Sequence, residues 1–450
     1  MDFSRFDKYY RYLILIPLLI ALLTYWKFRE INLSEAYSYV AQQNVIRPMF
    51  LQAFSESRSI VWNFFGLWNK ILIPDSIILL RLIGLCLTVL NYFLFSKLVN
   101  AVLGQRFWGF ISAFLVALSP LMVVAAVSGI SAAGSLTISI LFLTALYRNE
   151  YVFGGILSGV AVAANLPGFI MLLITILDLL QNSADKKIIV RKMFSSAAGF
   201  FGMVLVILVY SKFQGAVRLS SFPLPERDMP WSLAGVAPLF VVNIVNVAGA
   251  IYLIVAKRYE IYRIHFHSFM LWIAFAAFSF AQPTTTNLIS LLLISTFLAT
   301  LFVQSFASIW ELKFLSAETF VFIFVVIFLF ADVFANGKYL QDNILLDCRE
   351  KARAVDEVVD SIKPNDDDTR IISNFAPSEL AVKLMRPVVA IQGEPFPSEN
   401  INFSGKKTIY VVDKTSKINV LTEGCKALMK TSYGIGRQYH YVEVIQTEGK

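Results

Sequence analysis

Apolar runs of bilayer length, separated by short polar turns, recur from about residue 11 to residue 335. They predict about eleven membrane spans, near 11–28, 76–98, 108–128, 131–147, 151–165, 167–180, 194–213, 233–256, 266–281, 287–306 and 317–335. Residues 59–73 (Ser-Ile-Val-Trp-Asn-Phe-Phe-Gly-Leu-Trp-Asn-Lys-Ile-Leu-Ile) form an aromatic amphipathic piece suited to lie flat on the outer surface. Past Asn336 the pattern changes. Leu345, Cys348, Ala352, Val355, Val359 and Ile362 recur at helical spacing. The acidic turn Pro364–Asp368 then ends that helix. A strand Arg370–Asn374, a helix from Pro377 to Met385 and a strand Val388–Ile391 follow. Thr408–Val412 and Tyr439–Ile445 read as strands, with a helix near Leu421–Lys430 between them. The expected fold is an all-α polytopic membrane domain over residues 1–336, with a long outer loop 28–76. A small extracytoplasmic α/β domain over 337–450 completes it.

Composition supports the membrane assignment and adds an orientation. The chain is 57% hydrophobic and 16% charged, where a soluble protein carries about a quarter charged residues. Lys and Arg number 39 against 31 Asp and Glu, for a net charge of +8. That surplus falls in alternate turns. One side carries Arg5, Lys8 and Arg11, then Lys97 and Arg106, Arg148, the run Lys186, Lys187, Arg191 and Lys192, then Lys257, Arg258, Arg263 and Lys313. The opposite turns near Gly129, Asn165–Gly168 and Gln282–Asn287 contain neither Lys nor Arg. The positive-inside rule then places the N-terminus in the cytoplasm and the tail outside, and makes nucleic-acid binding unnecessary to explain the charge. The apolar run Tyr12–Trp26 ends in interfacial aromatics and is read as a retained span rather than a cleaved signal. Of the three cysteines, Cys86 lies in an apolar run, so no disulfide framework is implied, and a bridge between Cys348 and Cys425 stays open.

Candidate chemistry gathers after the first span. In Ile31–Gln43, Ser34 is a good N-cap and Glu35 falls in the first helical turn. Glu35, Ser38 or Tyr39, and Gln42 would then share one face. Glu35 either steadies the helix start or faces a reaction chamber. The outer loops also hold Arg29, Glu30, Arg47, Glu56, Arg58, Lys70 and Asp75, and then Arg218, Glu226, Arg227 and Asp228. Carboxylates there could act as a base or hold a divalent cation. The arginines suit a phosphate. Solvated loop charge is the alternative for each. Arg81 sits a turn inside an apolar span, a position that is either functional or a snorkelling anchor. His265 and His267 open a span on the cytoplasmic side, and nothing near them has metal-ligand spacing.

The order of these features resembles the GT-C membrane glycosyltransferases, in the branch of protein O-mannosyltransferases and lipid A aminoarabinose transferases. Ser34-Glu35-Ala36-Tyr37-Ser38-Tyr39 stands where that branch has an acidic pair and an aromatic helix. Leu67-Trp68 and Arg81-Leu82 match its aromatic surface segment and the following span. Gly104-Gln105-Arg106 and Leu118-Ser119-Pro120 match a basic turn and a span ending in Leu-Ser-Pro. Gly154-Gly155-Ile156-Leu157-Ser158-Gly159 through Asn165-Leu166-Pro167-Gly168 match a Gly-rich span and tight hairpin. The acid that follows Ser-Pro in the family has no counterpart, since Trp108–Tyr147 contains no charged residue. Glu35 and Arg81 are the charged family positions that carry across.

The resemblance implies sugar transfer from a polyprenyl-phosphate-linked donor to a lipid, glycan or protein acceptor at the extracytoplasmic face. Glu35 would be the base or the acid that positions the acceptor. Arg81, helped by Arg58, Arg218 or Arg227, would stabilise the leaving lipid phosphate. Glu56, Asp75 and Tyr39 are secondary candidates, and a divalent cation is a candidate cofactor. Membrane lipid is the other expected partner. A GT-C-shaped envelope assembly protein without catalysis, and a lipid or solute transporter, are the alternatives.

Overall fold

The computed structural model describes residues 12, 15–28, 60–73, 77–127, 130–164, 166–182, 186–213, 259–281, 285–307, 317–340, 346–364, 369–386, 388–390, 408–413, 425–435 and 438–447. Among the described residues, twelve helices precede the tail: α1 (Leu15–Phe28), α2 (Ile60–Leu72), α3 (Ile78–Leu103), α4 (Arg106–Leu118), α5 (Leu121–Val127) and α6 (Ile130–Arg148), then α7 (Tyr151–Ala163), α8 (Gly168–Asn182), α9 (Lys186–Phe213), α10 (Tyr259–Ala281), α11 (Thr285–Ala307) and α12 (Ala317–Leu340). The expected span 233–256 lies outside the described residues. Helices α3 and α6, with Lys186–Ile207 of α9 and Asn287–Gln304 of α11, are long and apolar enough to cross a bilayer. Shorter apolar helices accompany them. This is a multi-pass membrane protein.

The chain divides into two compact units. The larger holds α1, α3 from Arg81 onward, and the described helices up to Leu340. Its centre is α11, which packs against α4, α5, α6, α10 and α12. Leu115 of α4, Ala299 of α11 and Phe328 of α12 form one buried cluster there. Polar side chains tie the same helices, because in an apolar interior each hydroxyl or amide needs a partner. Ser112 Oγ donates to Thr300 Oγ1 at 2.9 Å and Trp272 Nε1 to Ser295 Oγ at 3.1 Å. Asn91 donates to the Ala133 carbonyl at 2.7 Å and accepts from Thr137 at 2.8 Å, joining α3 to α6.

Small residues let α9 approach α7. A methyl group at Gly155 would strike the Ser196 carbonyl, and one at Gly159 would lie 2.8 Å from the Phe200 carbonyl. These two glycines are four residues apart, the spacing that allows close backbone contact between membrane helices. The rest of α9 is barely covered: Val190, Phe194, Phe201 and Leu205 are exposed.

Sequence and structure differ at residues 108–128. The expected single span is two helices, α4 and α5, interrupted at Ser119-Pro120. Pro120 has no N–H to continue the helix, and its ring forces Ser119 into extended backbone (φ −63°, ψ 131°).

The second unit holds α2 and the C-terminal domain. The aromatic segment expected at 59–73 is helical as α2, with Trp62 and Asn69 buried and Trp68, Ile71 and Leu72 exposed. The tail contains α13 (Leu346–Ile362), β1 (Arg370–Ser373), α14 (Pro377–Leu384), β2 (Val388–Ala390), β3 (Thr408–Asp413), β4 (Cys425–Ile435) and β5 (Gln438–Thr447). They form one sheet of order β2-β1-β3-β5-β4, parallel among β1, β2 and β3 and antiparallel among β3, β5 and β4. Val355, Val358, Val359 and Ile362 of α13 are buried, and the helix packs against β4. Where a helix is expected near Leu421–Lys430, the described part, from Cys425 onward, is instead the edge strand β4. Its Ala, Leu, Met and Lys residues favour helix intrinsically, but pairing along all of β5 outweighs that weak preference.

Candidate functional site

One buried amide ties the end of α2 to the first turn of α3. Asn69 Oδ1 accepts the Leu80 N–H at 3.1 Å, so a side chain from α2 satisfies an otherwise orphaned donor in the first turn of α3. Its Nδ2 donates to the Ile73 carbonyl at 3.1 Å. Arg81 is the next residue, half-buried, with Nε shielded from solvent. Along α3, Arg81, Leu85, Thr88 and Tyr92 fall on one face, because steps of four, three and four residues keep close to the helical period. Tyr92 therefore lies about 16 Å further along the helix than Arg81. Thr88 Oγ1 donates to the Gly84 carbonyl at 2.9 Å and to the Ala125 carbonyl of α5 at 3.3 Å.

Tyr92 lines a cavity of about 90 Å³ with Ile20, Ala21 and Thr24 of α1 and the break between α4 and α5. The break contributes Ala117, Leu118, Ser119, Pro120 and Met122. The Ser119 N–H donates to the Val116 carbonyl at 3.2 Å, and the Met122 N–H to the Ser119 carbonyl at 3.0 Å. The Ser119 hydroxyl is buried and has no hydrogen-bond partner among the described residues. Among the described residues, the lining holds three hydroxyls and no charged group.

A second polar centre lies between α8 and α10. His267 Nδ1 is 3.2 Å from Asp178 Oδ1, and both side chains are almost fully buried. His265, two residues earlier, is 1% exposed, and neither ring nitrogen has a hydrogen-bond partner among the described residues. The sequence reading noted the histidines and missed Asp178. Its signal was an acid inside the apolar run Ile174–Leu180, which in a membrane segment points to a partner. Asn69 was missed for another reason: an amide in an aromatic segment carries no mark of the turn that it closes.

Of the expected site residues, the structure places Arg81. Glu35, Tyr39, Glu56, Arg58, Asp75, Arg218 and Arg227 lie outside the described residues. The carboxylates expected to hold a divalent cation are among them. The described residues contain no group of three His, Cys, Asp or Glu side chains that could hold a metal ion.

No protein-family model matches the sequence, and no curated protein matches it. Solved structures do. The structure of ArnT from Cupriavidus metallidurans bound to undecaprenyl phosphate superposes with a TM-score of 0.56 at 10% identity, covering 96% of this chain and 97% of that one. The archaeal oligosaccharyltransferase AglB from Archaeoglobus fulgidus, in complex with an inhibitory peptide and a dolichol-phosphate, superposes with a TM-score of 0.51 at 13% identity. That match covers 87% of this chain and 65% of AglB. At these identities the likeness is one of architecture: the chain has a GT-C-like fold.

Proposed function

We propose that the protein is a membrane glycosyltransferase that moves a sugar from a polyprenyl-phosphate carrier to an acceptor at the extracytoplasmic face. The observation that carries this reading is the end-to-end fold match to ArnT, a protein whose structure contains undecaprenyl phosphate. AglB, matched over part of its length, holds dolichol-phosphate. In this reading the N-terminus is cytoplasmic and residues 337–450 form an extracytoplasmic domain.

Glu35 acts as general base on the acceptor, or holds it in place for attack. Arg81 meets the lipid phosphate, where charge grows as the sugar leaves. Its planar guanidinium can donate two parallel hydrogen bonds to phosphate oxygens, and the half-buried setting strengthens them. Arg58, Arg218 and Arg227 are further phosphate partners. Glu56, Asp75 and Tyr39 complete the proposed site, and a divalent cation, if one takes part, would draw on these outer-loop carboxylates.

The test is binding of a polyprenyl-phosphate-linked sugar by purified wild type, Arg81→Lys and Arg81→Met in one detergent. Lys keeps the charge and loses the planar fork, so Arg81→Lys should bind the donor about tenfold more weakly, and Arg81→Met more weakly still. Equal binding by all three would make Arg81 a membrane anchor. Absence of binding by wild type, where ArnT binds under the same conditions, would favour an assembly protein of GT-C shape. The charge-free stretch Trp108–Tyr147 is the observation on that side.

A further inference from the structure

Helix α9 has an outer face that the described residues barely cover. In its apolar span 11% of residues are buried, against 89% in that of α11. The buried side chains Ser196, Phe200 and Ile207 share one face, and Ser196 and Phe200 meet α7 there at Gly155 and Gly159. The opposite face carries Lys187, Arg191, Phe194, Ala198, Gly202 and Leu205, all exposed. Ala198 and Gly202 are a turn apart and small, so they leave a furrow between Phe194 and Leu205, with Phe201 beside it. A Cβ added at Gly202 meets nothing within 4 Å.

One end of that face is cationic. Lys186, Lys187, Arg191 and Lys192 fall in the first two turns of α9, and the first turn contains no acid. A helix start is already positive, so cations gathered there are unfavourable without an anion beside them. Against these four the sequence sets one acid, Asp185, just before the helix. The Lys192 ammonium lies 5.2 Å from the centroid of the Tyr151 ring, which holds this end of α9 to the start of α7. Topology asks only for positive charge in the turn. It does not ask for charge on the helix, in line with an apolar furrow. This end of the bundle is also remote from Arg81. The Tyr147 hydroxyl donates to the Ala101 carbonyl at 2.7 Å, so the α6–α7 junction lies beside the last turns of α3. Arg81 is in the first turn of α3, about 30 Å away along the axis.

Cations in line with an apolar furrow match an amphiphile of opposite charge. From Arg191 to Gly202 the helix climbs about 16 Å, close to the depth of one leaflet of a ~30 Å hydrocarbon core. A soluble anion would leave the apolar face uncovered, and a zwitterionic headgroup would bring its own cation against Lys187 and Arg191. We propose that the outer face of α9 binds an anionic phospholipid, with its phosphate at Lys187 and Arg191 and one acyl chain in the furrow at Ala198 and Gly202. In the orientation proposed above this lipid belongs to the cytoplasmic leaflet, whose surface is anionic. The site anchors the protein and stands apart from the glycosyltransferase reading.

The test is equilibrium binding of fluorescent phosphatidylglycerol and phosphatidylcholine, with identical acyl chains, to the full-length protein in detergent. Wild type should bind phosphatidylglycerol about tenfold more tightly. Lys187→Gln combined with Arg191→Gln should weaken phosphatidylglycerol about tenfold and leave phosphatidylcholine unchanged, erasing the preference. Gly202→Phe fills the furrow and should weaken both lipids about fivefold. Two controls should bind both lipids like wild type: Lys351→Gln with Lys363→Gln, which removes the same charge from the C-terminal domain, and Arg81→Met. Thermal unfolding of each variant checks that it is folded. Equal binding of the two lipids by wild type would overturn the site and leave solvated cations. An equal loss in the Lys351 and Lys363 variant would overturn it as an effect of overall charge. Loss in Arg81→Met would overturn it by moving the lipid to the proposed donor site. Unchanged binding in Gly202→Phe would take the lipid off the α9 face and overturn the furrow.

Discussion

Asn69 and Leu80 are joined by a buried hydrogen bond of 3.1 Å, from the Leu80 backbone N–H to the Asn69 side-chain oxygen. The same side chain donates to the Ile73 carbonyl, so one amide holds both ends of the connection that precedes Arg81. Asn69→Ala leaves the Leu80 donor and the Ile73 acceptor without this partner and should cost about 1–2 kcal/mol. Asn69→Asp keeps the acceptor for Leu80 and loses the donation, so it should fall between the two. Thermal unfolding of the three proteins in the same nanodiscs gives the order. Equal midpoints for Asn69→Ala and wild type would remove Asn69 as the clasp.

The Asp178–His267 pair makes a prediction of a different kind. Removing one member of a buried hydrogen-bonded pair costs about 1–3 kcal/mol, because the contact is lost in an interior that offers no water in exchange. Replacing both by apolar residues of similar shape is much less costly. Asp178→Leu should therefore destabilise strongly, and adding His267→Phe should restore much of the loss. The double-mutant cycle measures the coupling. Additive losses would show that the two side chains, though 3.2 Å apart, do not depend on one another.

The α7–α9 contact depends on the absence of side chains at Gly155 and Gly159. Gly155→Leu would place its Cβ against the Ser196 carbonyl, backbone that cannot swing aside, so a loss of about 2–3 kcal/mol is expected. Gly202→Leu is the control, since a Cβ there meets nothing within 4 Å. Proteolysis of α9 in detergent should rise for the first and stay unchanged for the second.

The physical signals explain how much of this was readable. Apolar run length marked α3, α6 and α11, and helical spacing marked α13, because burial imposes those patterns directly. The α4–α5 break was written in Ser119-Pro120, but a proline inside an apolar run can also sit in a gently kinked span. Strand β4 was hidden because Cys425–Ile435 is an edge strand. Its state is set by β5 and α13, not by its own helix-favouring residues. Arg81 stood out as a charge in an apolar run. The partnership of Asp178 with His267 joins residues 89 positions apart, and single-sequence periodicity carries no information about such pairs.

Orientation rests on the Lys and Arg asymmetry of the turns. With Cys348 and Cys425 removed, a cysteine at Lys417 should react with an impermeant thiol reagent in intact cells. Labelling that appears only after lysis would put the C-terminal domain in the cytoplasm and close the outward-facing site.

The central claim is chemical, and one rate tests it most directly: loss of labelled sugar from a polyprenyl-phosphate donor in nanodiscs containing wild type or Glu35→Gln. The substitution keeps size and polarity while removing charge and basicity. Wild type should release polyprenyl phosphate as the acceptor gains the sugar, and Glu35→Gln should be roughly a hundredfold slower or more while remaining folded. If Glu35 were only a first-turn anion, the change would cost about 1 kcal/mol of local stability and little activity. Near-normal turnover by a well-folded Glu35→Gln protein, or none by wild type with any donor that it binds, would contradict the account.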